Sequence, residues 1–183
     1  MRYLTFLLVA VFVAVAVAAT TLLATPPAAE AAGGGAVRKC GGGRISLNAD
    51  EKQSFALHNK ERRDRNLKPF CVHPDLQRAA RAHSEDMIRR DYFSHDTKGR
   101  NESQCERIRR FGYRYRHCGE NIAWGSGQQG EPDSIMRMWM DSSGHRSTIL
   151  DGKYREIGIG TFTGTFNGTP NATMYTADFG ARR

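Results

Sequence analysis

Three short stretches of this 183-residue sequence set polar side chains beside apolar anchors: Phe93-Ser94-His95, Cys118-Gly119-Glu120-Asn121-Ile122-Ala123, and Trp139-Met140-Asp141-Ser142-Ser143-Gly144-His145-Arg146. Each reads as an element boundary, where functional side chains are commonly placed. Two neutral imidazoles, His95 and His145, can ligate Zn²⁺ or a similar divalent ion, with water in the remaining positions. Two protein ligands make an open, weak site. A carboxylate such as Glu120 can orient one imidazole from behind or bind the ion directly. Water on such an ion can become hydroxide with Glu120 as base, which is the route from binding site to hydrolase. The zinc-protease helix pattern HExxH is absent. Ser94 beside His95 and Ser142 near His145 make poor serine nucleophiles, because adjacent side chains point apart and no nucleophile elbow is present.

The elements that must position these residues are legible from caps, breakers and periodicity. A first helix is expected over about 49–65, where Asn48 followed by Glu51 resembles a capping box. Pro69 and Pro74 bound the connection to a second helix starting near Asp75, whose Leu76, Ala79, Ala80, His83 and Met87 form one buried stripe. A shorter helix is expected from Ser103 to Phe111, stopped by Gly112. After Pro132, Ile135, Met138 and Trp139 repeat as the core face of another helix, which should end before Gly144. Ile157, Ile159 and Thr161 alternate with Gly158 and Gly160 as a strand. A second strand, Thr173 to Phe179, follows a turn at Asn167-Gly168. Helices first and a hairpin last imply a mixed fold with an antiparallel sheet. On this reading His83 is structural, and His58 with Asn59 serves helix packing; His73 and His117 fall in loops.

The N-terminus is apolar from Tyr3 to about Ala24, and Ala29-Glu30-Ala31 fits a small-x-small cleavage site. Residues 1–31 are expected to be a signal peptide cut after Ala31 or, since the run reaches the ~20 residues that span a bilayer, a membrane anchor. Either way the domain faces away from the cytosol. Residues 32–44, with Gly33-Gly34-Gly35 and Gly41-Gly42-Gly43 around Cys40, read as a flexible arm. A single domain is expected over 45–183.

Formal net charge is +8, and the first 31 residues contribute only Arg2 and Glu30, so the remaining chain is equally basic. That field favours anionic partners such as envelope polymers or acidic lipid. The arginines are scattered through Glu61–Arg65, Arg107–Arg110 and Arg114–Arg116, as on solvated faces, and no nucleic-acid module accompanies them. Four cysteines, at 40, 71, 105 and 118, lack zinc-ribbon spacing. Outside the cytosol they read as two disulfides, and the short loop between Cys105 and Cys118 favours that pair, leaving Cys40 with Cys71. Free buried thiols are the alternative. Three sequons, at Asn101, Asn167 and Asn171, matter only in a glycosylating host.

An ordered set of motifs carries a family resemblance. Leu57-His58-Asn59 with Arg62, His83-Ser84, Phe93-Ser94-His95, Gly112-Tyr113 and Gly119-Glu120-Asn121-Ile122-Ala123 are followed by Trp139-Met140 with Ser142, Gly144-His145-Arg146, Ile149-Leu150, Tyr154, Ile157-Gly158-Ile159-Gly160, Tyr175-Thr176 and Asp178-Phe179-Gly180. From Leu57 to Gly180 the chain resembles the CAP superfamily of cysteine-rich secretory, antigen 5 and pathogenesis-related proteins, in its secreted bacterial branch. The resemblance implies an α+β fold, a three-layer α-β-α sandwich with a central antiparallel sheet. It also implies a cleft where His95 and His145 converge with Glu120. A second glutamate of animal and plant relatives falls here at Ser142; Asp141 is adjacent, but one helical position away points about 100° aside. Ser143, Thr148 and Ala177 also depart from the common pattern. The expected function is a non-catalytic extracellular binding module, a monomer, holding a divalent metal or a small anionic or lipidic ligand. Its partners would be an anionic envelope polymer, a lipid or an extracellular protein, without nucleic acid. The alternative is a metal-dependent extracellular hydrolase, peptidase-like, using the same cleft.

Overall fold

The computed structural model describes residues 33–182; the cleavage site and the anchor alternative lie outside them. The central sheet has the order β3-β5-β6-β4. Strands β4 (Tyr115–Ser126), β5 (Glu156–Phe166) and β6 (Thr169–Arg182) pair antiparallel, and β3 (Cys71–Val72) adds a two-residue parallel edge to β5. The β5–β6 turn uses Asn167 at φ 47° and Gly168 at φ 75°, the left-handed pair that a tight hairpin requires.

The Ile-Gly alternation of β5 explains the layering. Gly158 and Gly160 face helix α2 (Pro74–Arg89) so closely that a Cβ at either would collide with the helix backbone, at Leu76–Gln77 and at Ala80–Arg81. Gln77 fastens this contact by accepting from the Ile159 amide at 3.0 Å. Ile157 and Ile159 point the other way, into a core with Phe70, Ile135, Trp139, Ile149 and Phe179. That core lies beneath α1 (Ala49–Arg63), α4 (Pro132–Asp141) and α5 (Ser143–Leu150), while α3 (Gln104–Arg110) sits on the α2 side. The result is the three-layer α-β-α sandwich.

Local signals account for the helix starts. Asn48 and Glu51 form a reciprocal capping box on α1, and Ser103 and Glu106 form another on α3. Buried Arg62 of α1 has no carboxylate partner; it donates to the carbonyls of Lys68, Ile149, Asp151 and Tyr154, joining α1 to the exit of α5.

Several expectations need correction. Residues 35–47, read as arm and domain start, form a hairpin of β1 (Gly35–Arg38) and β2 (Arg44–Leu47). Gly41, Gly42 and Gly43 all take positive φ, so the glycines make the turn rather than a linker. On α4 it is Met136 that is buried, whereas Met138 is 46% exposed; the buried face runs through 132, 135, 136 and 139. Helix α4 does end before Gly144, as expected, but Gly144 then lies within a further helix, α5, that the sequence reading did not include.

The two disulfides sit at the two sheet edges. Cys40–Cys71 ties the hairpin to β3, where Lys39 bridges to Val72 and the Cys40 amide donates to the Val72 carbonyl at 2.9 Å. Cys105–Cys118 ties α3 to β4. Carbonyls of β4 are capped from the side: Cys118 by the Tyr154 hydroxyl at 3.0 Å, and Ile122 by the Trp139 indole at 3.2 Å.

Candidate metal-binding cleft

The candidate site is organised by strand β4. The segment around Glu120, read from sequence as an element boundary, is the middle of this strand. Successive side chains of a strand point to opposite faces. Glu120 therefore turns to the α2 side and Asn121 to the α5 side, and each holds one histidine segment. Glu120 Oε1 lies 2.6 Å from His95 Nδ1, and Asn121 Nδ2 donates to the carbonyl of His145 at 3.0 Å.

His95 lies in the loop between α2 and α3. Its segment is anchored on both sides: His83 of α2 reaches the Ser94 carbonyl at 2.9 Å, and Arg107 of α3 donates to the His95 carbonyl at 2.8 Å. Arg107 also donates to Glu120 Oε2. One buried guanidinium, 1% exposed, thus holds both the backbone of His95 and the carboxylate that aims its ring. Arg107 was read among solvated arginines; helix α3 turns it inward beside Ile108.

The two cleft histidines are pushed apart in acidity. The hydrogen bond to Glu120 raises the pKa of His95 above its ordinary value, against the opposing effect of burial. His145, the third residue of α5, is half-buried, and burial, followed by the charge of His95, lowers its pKa. Burial alone would raise Glu120, but the His95 hydrogen bond and the charge of Arg107 outweigh it and hold the carboxylate below its ordinary range.

Both Glu120 oxygens are thereby taken, and its side chain is fully buried. Of the two places considered for Glu120, the geometry matches the orienting one. With Nδ1 on Glu120, His95 keeps Nε2 without a partner among the described residues, on a side chain 48% exposed. His145 Nδ1 is buried and equally unpartnered. His95, Glu120 and His145 are not drawn into a tight three-atom cage. Among the described residues the one such group is Cys40, Cys71 and Glu156, whose sulfurs are spent in a disulfide. The donor set thus suits an ion held by two imidazoles and water, with Glu120 behind one of them.

A residue with no assigned role in the sequence reading completes the site. Asp178 of β6 stands directly across from Glu120 in the β4–β6 register, fully buried, and neither of its oxygens has a hydrogen-bond partner among the described residues. Burial, and then the charge of Glu120, raise its pKa well above the ordinary value, opposite to the direction in which Glu120 is pushed. Ser142 and Asp141 supply no second acid to the site: Ser142 precedes α5 without a side-chain cap bond, and Asp141 is exposed. The second carboxylate comes instead from the neighbouring strand, behind Glu120. Only the register reveals this, since the two residues are 58 positions apart in sequence.

The family described as CAP, cysteine-rich secretory protein family, matches residues 55–179. The uncharacterized protein YkwD of Bacillus subtilis (strain 168) is 38% identical over 115 residues, covering 63% of this chain and 43% of the relative. The uncharacterized membrane protein YlbC of the same strain is 31% identical over 110 residues, covering 60% of this chain and 31% of the relative. The matched region therefore spans less than half of either relative. An extracellular protein with an SCP domain from Bacillus anthracis str. Ames superposes with a TM-score of 0.60 at 28% identity, covering 73% of this chain and 40% of that one. An outer surface protein of Borrelia burgdorferi has a TM-score of 0.63 at 18% identity, over 76% of this chain and 97% of that one, which is a likeness of fold.

Proposed function

The chain belongs to the cysteine-rich secretory protein (CAP) family, and from that premise we propose that it acts outside the cytosol as a non-catalytic binding module whose His95–His145 pair holds a divalent ion, Zn²⁺ by donor type. The observation that carries this reading is the 2.6 Å contact between Glu120 and His95 Nδ1, which fixes the ring and leaves Nε2 for a ligand. Export accords with the apolar N-terminal sequence, with two disulfides, and with the extracellular character of the Bacillus anthracis protein. The net charge of +8 suits an anionic envelope polymer or lipid surface as partner.

A hydrolase using Glu120 as base is the weaker reading. A base needs a free oxygen within reach of the attacking water and a pKa near the working pH. Glu120 has both oxygens engaged and is held acidic.

Calorimetric titration with Zn²⁺ tests the binding reading. Binding should vanish in His95→Ala and His145→Ala. Glu120→Gln should weaken it by about 10–100-fold, the usual cost of losing an orienting partner. Affinity should also fall with pH as His95 takes up its proton, from above the ordinary value of 6.5 downward. Absence of heat in the unmutated protein at neutral pH removes the metal from the proposal.

A further inference from the structure

A second cavity, of about 240 Å³, opens between α2, α3 and the loop joining them. Four guanidiniums line it, from Arg90, Arg100, Arg107 and Arg110, against one carboxylate, Asp86. Asp86 is itself engaged by Arg90 at 3.2 Å and by the Tyr92 hydroxyl at 2.5 Å. Arg110 is paired with Glu102 at 2.6 Å, and Glu102 also accepts from the Thr97 hydroxyl at 2.8 Å. Arg100 has no carboxylate partner among the described residues, so the cavity carries an uncompensated positive charge.

Two side chains of the lining are almost wholly buried, His83 and Arg107, and each keeps one nitrogen without a partner: His83 Nδ1 and Arg107 Nε. Their hydrogen-bond characters are opposite. His83 Nε2 faces the Ser94 carbonyl, which can only accept, so the ring proton sits on Nε2 and Nδ1 is a bare lone pair. Burial, then the charge of Arg107, brings this ring down to about 4, so it is neutral at physiological pH. Arg107 Nε carries a hydrogen and can only donate. Two side chains of the cavity lining therefore each leave one buried polar atom unmet among the described residues, an acceptor on His83 and a donor on Arg107, at a cost of about 1–3 kcal/mol each.

An occupant that satisfies both needs negative charge for the guanidiniums, an oxygen that accepts, and an O–H that donates. We propose that this cavity binds a hydrogenphosphate-type oxyanion, either free phosphate or a singly protonated phosphate monoester. Sulfate and ionised carboxylates bring the charge but no O–H. The volume exceeds several times the roughly 30 Å³ share of one water, enough for a phosphate group and accompanying waters. Arg107 links this cavity to the histidine cleft, because its other nitrogens hold the His95 carbonyl and Glu120. The assignment does not depend on metal binding in that cleft.

Inorganic phosphate titrated into the protein by calorimetry, with a chelator present to keep the cleft free of metal, tests this directly. Sulfate at matched ionic strength and glycerol phosphate form two further arms. Phosphate should bind, and sulfate should bind at least about tenfold more weakly, since it leaves His83 Nδ1 unmet. Glycerol phosphate should approach phosphate in affinity as pH falls through its second ionisation, near 6 for phosphate monoesters; no such gain assigns the site to free phosphate alone. Arg100→Gln should lower phosphate affinity about tenfold or more. Arg114→Gln removes an equal charge from an exposed position outside this cavity and should leave affinity unchanged. Equal losses in the two variants would reduce the effect to general surface charge and overturn the proposal. So would the absence of phosphate binding, or sulfate binding as tightly as phosphate.

Discussion

Glu120 and Asp178 are cross-strand neighbours, both buried, yet their acidities are pushed in opposite directions, and two near-isosteric substitutions separate them. Glu120→Gln removes the carboxylate charge that Arg107 pairs with, leaving a guanidinium 1% exposed without compensation. Breaking a buried pair from one side costs about 3–5 kcal/mol. Asp178→Asn replaces a carboxyl whose neutral form burial favours with a neutral group of the same shape, and should cost less than about 1 kcal/mol. Against a total stability of about 5–15 kcal/mol the difference is easily read. In thermal unfolding it corresponds to a fall on the order of 10 °C for the first variant and very little for the second. Denaturant unfolding at neutral pH, with the slope m checked for constancy, gives the free energies. The pH dependence supplies a further sign. The unfolded chain ionises residue 178 near the ordinary 3.8, while the folded chain does so only well above that. Between those values the native state holds the extra proton, so this residue makes the folded protein lose stability as pH rises. The Asp178→Asn variant escapes that loss, so its stability relative to the unmutated protein should improve as pH climbs above about 4. An Asp178→Asn variant as damaged as Glu120→Gln would refute the assignment of charge.

Acidification should weaken the fold through two buried histidines, His58 and His83, both lowered from 6.5 to about 4, mainly by burial. The unfolded chain takes up these protons first, so stability should fall as pH drops from about 6.5 to about 4; urea midpoints that stay flat across that window contradict it. Arg62→Met keeps the buried stem but removes the donor that four carbonyls share, of which those of Asp151 and Tyr154 keep another, and should cost roughly 3–5 kcal/mol in denaturant unfolding, with Arg62→Lys failing to rescue because one ammonium cannot serve that fork. A loss below about 1 kcal/mol would show the guanidinium to be dispensable. Gly158→Ala should destabilise by about 1–3 kcal/mol or more through collision with α2, whereas Gly152→Ala meets open space and should be close to neutral. Equal unfolding midpoints for the two would remove the close-approach argument.

What the sequence disclosed depended on how local the signal was. The capping pair at Asn48/Glu51, the Gly112 stop after α3, the Asn167-Gly168 turn and the Ile-Gly alternation of β5 act over a few residues, and they place α1, α3 and the β5–β6 hairpin. Strand β4 was harder to see, because polar His117, Glu120 and Asn121 interrupt its apolar pattern for the sake of the cleft. Helix α5 was hidden by Gly144 and by following α4 directly. That Met138 is exposed and Met136 buried is not legible, because Ile135 and Trp139 alone fit either helix phase. The histidine segments and Glu120 were found through their motifs. Arg107 and Asp178 were not, since a buried charge and a register partner exist only once α3 and β6 are docked against β4.

The placement of the two disulfides bears on how this fold guards the margins of its sheet. In the order β3-β5-β6-β4 the outermost strands are those that carry Cys71 and Cys118. An open strand edge is a template on which a second chain can add, and exported proteins meet few chaperones to reverse it. Here one margin is covered by the Lys39–Cys40 segment, and the other has carbonyls plugged by Tyr154 and Trp139. The covalent bonds lock those covers in place, so reduction should expose sticky margins and promote fibre-like association before it unravels the core.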